Sequence, residues 1–342
     1  MKTKTKIKAG ILGATGLIGQ AFVKILSSHP LFTLSMLSGS RTGTGEKYGD
    51  AVTWRLPSEF PAGSGDLIIE RPDPSAMKKR GVRYLFSALP SAIAGHMEAE
   101  LREEGFFIFS NAGARRYDKD VPILVPDVNP GSLELIREQG FPGKGFIVTN
   151  PNCSTAGLTV ALAPLKKFGI EEITVSTYQA VSGAGYPGLP AMDITGSVIP
   201  HIQDEEEKME KETKKILGID PEIHATCIRV PALYGHLETV WVSFAENPEE
   251  EDILSEWDRS IPGLRTHSLP ERTVQYIKTP GGVRNDLSFR GNPPGMQVFT
   301  GGVRKKGRKI GFHLLVNNLI RGGAGGSVAN AELFVEKYGG TL

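Results

Sequence analysis

Cys153 stands where a thiol could do chemistry. In the run VTNPNCSTAGLTVAL it follows Asn-Pro-Asn and opens a stretch that reads as a helix. A helix N-terminus offers free amides and the positive end of the macrodipole, so a thiol there is expected to have a lowered pKa and to act as a nucleophile. Such a thiol can hold an acyl group as a thioester. The other cysteine, Cys227, lies inside the strand-like run ATCIRV and reads as core. Two cysteines this far apart make neither a disulfide framework nor a zinc motif.

A nucleophilic thiol needs an acid–base partner. Seven histidines compete: His29, His96, His201, His224, His236, His267 and His313. RVPALYGHLE sets His236 apart, just past a strand and after a glycine turn. A loop histidine held by rigid strands suits proton transfer better than one in mid-helix.

The second constellation is GILGATGLIGQAF, with Gly13, Gly16 and Gly19 between a strand and a helix. Glycines there let the backbone approach a pyrophosphate, and the helix N-terminus supplies N–H donors. NAD-binding folds usually carry an acid about twenty residues on, for the ribose 2′-hydroxyl. From Gln20 to Gly45 there is none; SGSR offers Ser38, Ser40 and Arg41 instead. Hydroxyls and a guanidinium suit a 2′-phosphate, so NADP is expected over NAD.

The elements around these residues fall into two patterns. Over 7–150, strand-like runs (KAGILG, FTLSMLS, DLIIE, VRYLFSAL, FFIFSNA, GFIVTN) alternate with helical stretches at 17–26 and 93–104. This predicts an α/β, Rossmann-type NADP-binding domain with a mostly parallel, doubly wound sheet. After Cys153 the strands lengthen and alternate (EITVSTYQAVSG, TCIRVPAL, TVWVSFA, KIGFHLLVNN), interrupted by one charged helix expected over 200–217. This predicts an α+β catalytic and dimerisation domain with a mixed sheet. The expected division is 1–151 and 152–317, with a C-terminal helix within 318–342 packing back on the first domain.

The 342 residues suit about two domains. A formal net charge of +1 gives no argument for a nucleic-acid partner. No apolar run is long enough to span a membrane, and the N-terminus lacks a signal-like core, so a cytoplasmic protein is expected.

Taken together the motifs resemble the aspartate-semialdehyde dehydrogenase family, its archaeal and fungal branch in particular. The resemblance runs through GATGLIG, SNAGARRYDKDVPILVPDVNP, NPNCST, YQAVSGAGYPG, VIPHIQDEEEKMEKETKKILG, RVPALYGHLE and NNLIRGGAGGSVANAEL. It implies NADPH-dependent reduction of L-aspartyl 4-phosphate to L-aspartate 4-semialdehyde with release of phosphate, on the route to lysine, methionine and threonine. It implies Cys153 as nucleophile, His236 as acid–base residue and Gln179 orienting the intermediate. It also implies Arg229 on the substrate carboxylate, Glu205 on the amine, and Lys208, Arg116 and Asn111 at phosphate. Coenzyme contacts are expected from Gly13, Thr15, Gly16, Leu17, Ile18, Gly19, Ser38, Ser40, Arg41, Ser87, Ser182, Gly183 and Asn318. No metal is expected; a homodimer or homotetramer is. The adjacent Arg115 and the run Glu205–Glu207 leave two registers open. Malonyl-CoA reductase, on the same scaffold, is the alternative reading.

Overall fold

The structure, a computed structural model, describes residues 6–39, 43–259 and 266–339. Ser40 and Arg41 lie outside the described residues. Among the described residues the strands form two sheets. The first contains β1 (Ile7–Leu12), β2 (Phe32–Ser38), β3 (Ile69–Glu70), β4 (Tyr84–Ser87), β5 (Phe107–Ser110) and β6 (Phe146–Thr149). Their order is β3-β2-β1-β4-β5-β6, and every pairing is parallel. β4, β5 and β6 are buried along their whole length, as strands covered on both faces must be. The order reverses at β1, so a crevice opens beyond the C-terminal ends of β1 and β4.

The second sheet holds β7 (Ile170–Gln179), β8 (Ile199–Pro200), β9 (Glu222–Arg229), β10 (His236–Phe244), β11 (Val274–Ile277), β12 (Val298–Lys306) and β13 (Lys309–Val316). Its order is β11-β12-β13-β10-β7-β9-β8. β7–β9 and β11–β12 are parallel and the other pairs antiparallel, so the sheet is mixed. β10 alternates buried and half-buried residues, which leaves one face for the core and one open.

The two largest cores correspond to the two sheets. In the first, Phe107, Phe109 and Phe146 pack against Phe334 of the C-terminal helix Gly325–Tyr338. That helix therefore lies on the first sheet although it follows the second in sequence. The charged helix starts at Glu205, later than the expected 200, and ends at Leu217. Pro200 belongs to β8, and His201 and Asp204 have left-handed φ of 66° and 61°, which breaks any helix before Glu205. No helix among the described residues is long and apolar enough to cross a membrane.

Candidate active site

The nucleotide loop is built from glycines that close contacts require. Gly13 has φ +81°, and a Cβ on Gly19 would lie 2.1 Å from the Gly13 carbonyl oxygen. Gly16 caps the helix Leu17–Leu26 and no side chain of the cap bonds its first-turn amides, which leaves donors of the kind that a pyrophosphate requires. Leu17 and Ile18 form that first turn. Ser38 ends β2 and holds the loop through its carbonyl, which accepts the Ala14 N–H at 2.7 Å. A cleft of about 290 Å³ lies beside the loop, lined by Thr15, Gly16, Leu17, Arg55 and Tyr186 among others. Buried Gln20 ties its wall together: it donates to the carbonyls of Thr15 and Thr53 and accepts the Arg55 N–H at 2.8 Å. The Arg55 guanidinium sits 3.5 Å from the Tyr186 ring centroid, a contact between the two domains. These features fit a bound dinucleotide.

Cys153 is the first residue of the helix Cys153–Leu162. The Asn152 side chain caps it, accepting the Ser154 and Thr155 amides at 3.0 and 3.4 Å. Every later residue of the helix is buried, and Cys153 alone keeps partial exposure. Cys153 Sγ lies 3.1 Å from His236 Nε2. His236 is the first residue of β10 rather than a loop residue, and it is fully buried. Gly235 at φ +81° makes the turn before it.

The expected lowering of the Cys153 pKa is overturned. Burial, with help from the Glu205 carboxylate, pushes the thiol up to about 12. Arg229, Arg116 and the Ser154 amide pull the other way but are outweighed. Burial and the Arg229 charge hold the His236 ring down at about 3, so it is neutral near pH 7. Cys227 is buried in β9, and burial raises its thiol too, as a core residue should show.

The remaining polar groups converge on this pair. Gln179 and Arg229 end the paired strands β7 and β9 side by side. Arg229 Nη1 donates to the Ala180 carbonyl at 2.8 Å. A Cβ on Gly183 would come within 2.6 Å of Arg229 Nη1 and 3.1 Å of the His236 ring. Glu205 Oε2 accepts from Asn152 Nδ2 at 2.7 Å and from Gln179 Nε2 at 3.3 Å. Lys208 Nζ is 3.4 Å from Glu205 Oε1. Asn318 Nδ2 donates to Ser182 Oγ at 2.9 Å, and its Oδ1 accepts the Gly235 N–H. Asn111 donates to the Ser87 carbonyl and to Ser327. Arg116 faces the site, bonded to Glu212 at 3.0 Å and to the Asn111 carbonyl, whereas Arg115 turns to Gly95 and Asp118.

Three residues escaped sequence reasoning. Glu212, fully buried, binds Arg116 and accepts the Asn152 N–H at 2.5 Å. Its signal was a second carboxylate seven residues after Glu205, two helical turns along the same face. Asn150 donates to Asn111 and to the Gly323 carbonyl, and accepts from Asn330 at 2.8 Å. Gly322 lies against Cys153 in the segment Ile320–Ala324, which kinks where Gly323 leaves helical geometry.

A dinucleotide fold that meets a cysteine–histidine pair at its seam with a second sheet defines a thiol-dependent oxidoreductase of aldehydes or acyl groups. Sequence profiles agree: the semialdehyde dehydrogenase NAD binding domain matches residues 8–136, and the semialdehyde dehydrogenase dimerisation domain matches 162–321. The chain belongs to the aspartate-semialdehyde dehydrogenase family. An Archaeoglobus fulgidus aspartate-semialdehyde dehydrogenase is 39% identical, over 97% of this chain and 99% of that one. A malonyl CoA reductase (NADP) of Metallosphaera sedula is 35% identical over 97% of both. The crystal structure of aspartate semialdehyde dehydrogenase with NADP from Candida albicans superposes with a TM-score of 0.87 at 33% identity, covering 96% of this chain and 98% of that one.

Proposed function

We propose that this chain reduces L-aspartyl 4-phosphate to L-aspartate 4-semialdehyde, releasing phosphate, in the biosynthesis of lysine, methionine and threonine. The observation that carries the reading is the Cys153–His236 pair, 3.1 Å apart, ringed by the Glu205 carboxylate and the guanidinium groups of Arg229 and Arg116. A small zwitterionic acyl phosphate asks for that set. NADPH, bound along the Gly13–Gly19 loop, supplies the hydride. Cys153 attacks the acyl carbon and holds it as a thioester. Arg229 takes the substrate carboxylate, with a planar fork of donors that matches it. Glu205 takes the ammonium group, and Gln179 beside it fixes the orientation. Lys208, a third exposed, receives the phosphate with Arg116 and Asn111. Ser182 and Asn318 position the nicotinamide side.

The carboxylate separates this reading from malonyl-CoA reduction, whose substrate has no amine for Glu205 to bind. The test runs the reaction backwards with aspartate semialdehyde, phosphate and NADP, following NADPH. Formation of NADPH is expected. Silence there, with oxidation of NADPH by malonyl-CoA, overturns the reading. Cys153→Ala is expected to abolish turnover and keep NADP binding.

We also infer a division of labour at Cys153, with 1–151 and the C-terminal helix binding coenzyme. The open face of the second sheet, carrying Tyr178, Thr239 and Trp241, suits a second copy in a homodimer or homotetramer. Two free thiols suit a reducing, cytoplasmic setting.

A further inference from the structure

Arg55 is held from three directions. Its backbone N–H donates to Gln20 Oε1 at 2.8 Å. Its carbonyl accepts the Tyr234 hydroxyl at 2.8 Å. Its guanidinium lies 3.5 Å from the ring centroid of Tyr186. Gln20 belongs to the helix Leu17–Leu26, whereas Tyr186 and Tyr234 come from the loops that follow β7 and β9. Tyr234 stands two residues before His236. A long side chain fixed in this way has already lost much of its rotamer freedom, so ordering it on a ligand costs little more.

The guanidinium has no other partner. Among the described residues no carboxylate pairs with it and no acceptor takes its N–H groups. It lines the cleft of about 290 Å³ together with Thr15, Gly16 and Leu17, and of the residues lining that cleft it alone carries a charge. The helix N-terminus in the same cleft offers amide donors and roughly half a unit of positive charge. A dinucleotide's pyrophosphate brings one negative charge on each phosphate, more than the helix can balance.

We propose that Arg55 is a coenzyme-binding residue: its guanidinium takes the pyrophosphate of NADP at the start of the Leu17–Leu26 helix, and its stack on Tyr186 ties the bound coenzyme to the loop after β7. A planar fork of donors matches a pair of phosphate oxygens. The two contacts do not compete. The aromatic ring meets the flat face of the guanidinium, and the N–H groups point outward in its plane. Tyr186 is thus a positioning residue that acts through Arg55.

The inference concerns the coenzyme alone. Its test contains no substrate and stands apart from the assay with aspartate semialdehyde. Arg55→Met keeps the length and the apolar stem of the side chain and removes the donors. Wild type and variant are titrated calorimetrically with NADP, and NAD is read by displacement. The Kd values of both coenzymes are expected to rise by the same factor, about ten- to a hundredfold. A rise for NADP alone moves the guanidinium to the 2′-phosphate and overturns the proposal, as does an unchanged Kd for both. Added salt is expected to narrow the gap between wild type and Arg55→Met; a gap indifferent to salt marks a damaged fold rather than a lost charge contact, and overturns it too. Tyr186→Leu is expected to weaken both coenzymes by a smaller factor and to add nothing when combined with Arg55→Met. Losses that multiply in the double variant overturn the coupling through Tyr186.

Discussion

A Cβ added to Gly322 would lie 2.7 Å from both Cα and Cβ of Cys153. The neighbour on Cys153 includes backbone, so it cannot swing aside. Gly322→Ala is therefore expected to push the nucleophile from its place while the two sheets still fold. The expected loss is about 10²-fold in kcat, with NADP affinity little changed. Steady-state kinetics beside coenzyme titration measures this; wild-type kcat would show that the close approach has no bearing on turnover.

Glu205 and Glu206 are adjacent and do different things. Glu205 faces Asn152 and Gln179 beside the sulfur, while Glu206 accepts the Cys227 N–H at 3.0 Å. Glu205→Ala is expected to raise the substrate KM by about ten- to a hundredfold, the loss of one charge-assisted bond. Glu206→Ala should lower stability and leave KM near wild type. Reversal of the two phenotypes in the same assay would move the amine site to Glu206.

Glu212 and Arg116 form a buried pair, with side chains 0% and 9% exposed. Glu212→Ala takes the charged partner from the Arg116 guanidinium, which keeps only the Asn111 carbonyl, and the acceptor from the Asn152 N–H. A destabilisation of about 3–5 kcal/mol is expected from denaturant unfolding, together with a fall in kcat because Asn152 caps the Cys153 helix. Unchanged stability would mean that Arg116 finds another partner.

Glu238 is fully buried on β10, two residues from His236 and on the same face. Neither carboxyl oxygen has a hydrogen-bond partner within the protein. Burial raises its pKa well above the ordinary carboxylate value. The unfolded chain therefore ionises first as pH rises. Stability from this group is full below the unfolded pKa and drains away as pH climbs towards the folded one, by about 1.4 kcal/mol per pH unit. Glu238→Gln is expected to unfold at a higher denaturant concentration than wild type at pH 8, and the difference should shrink at pH 5. A gap independent of pH would show that Glu238 is ionised in the fold.

The sequence carried the parts of this site that obey local rules. Gly13, Gly16 and Gly19 announce themselves because a turn and a close approach admit nothing else. Cys153 is legible because Asn152 is a capping residue directly before a helix-forming run. The start of the charged helix is not legible in the same way, because left-handed residues at His201 and Asp204 have no strong local signature. Other features depend on groups far apart in the chain. Arg116 meets Glu212 across 96 residues, and Asn150 meets Asn330 across 180. The thiol pKa is illegible for the same reason: a helix terminus is written locally, whereas burial and the Glu205 carboxylate come from tertiary packing.

The Asn150 knot has a consequence for the order of assembly. It joins Asn111, just past β5 of the first sheet, to Gly323 and Asn330, which follow the last strand. Asn318 and Gly322, which hold Ser182 and abut Cys153, come from that same late segment. On the ribosome both sheets can therefore exist before the thiol has its surroundings. The segment from Asn318 to Asn330, made after every strand of both sheets, acts as a closing stitch, and chemistry waits for it.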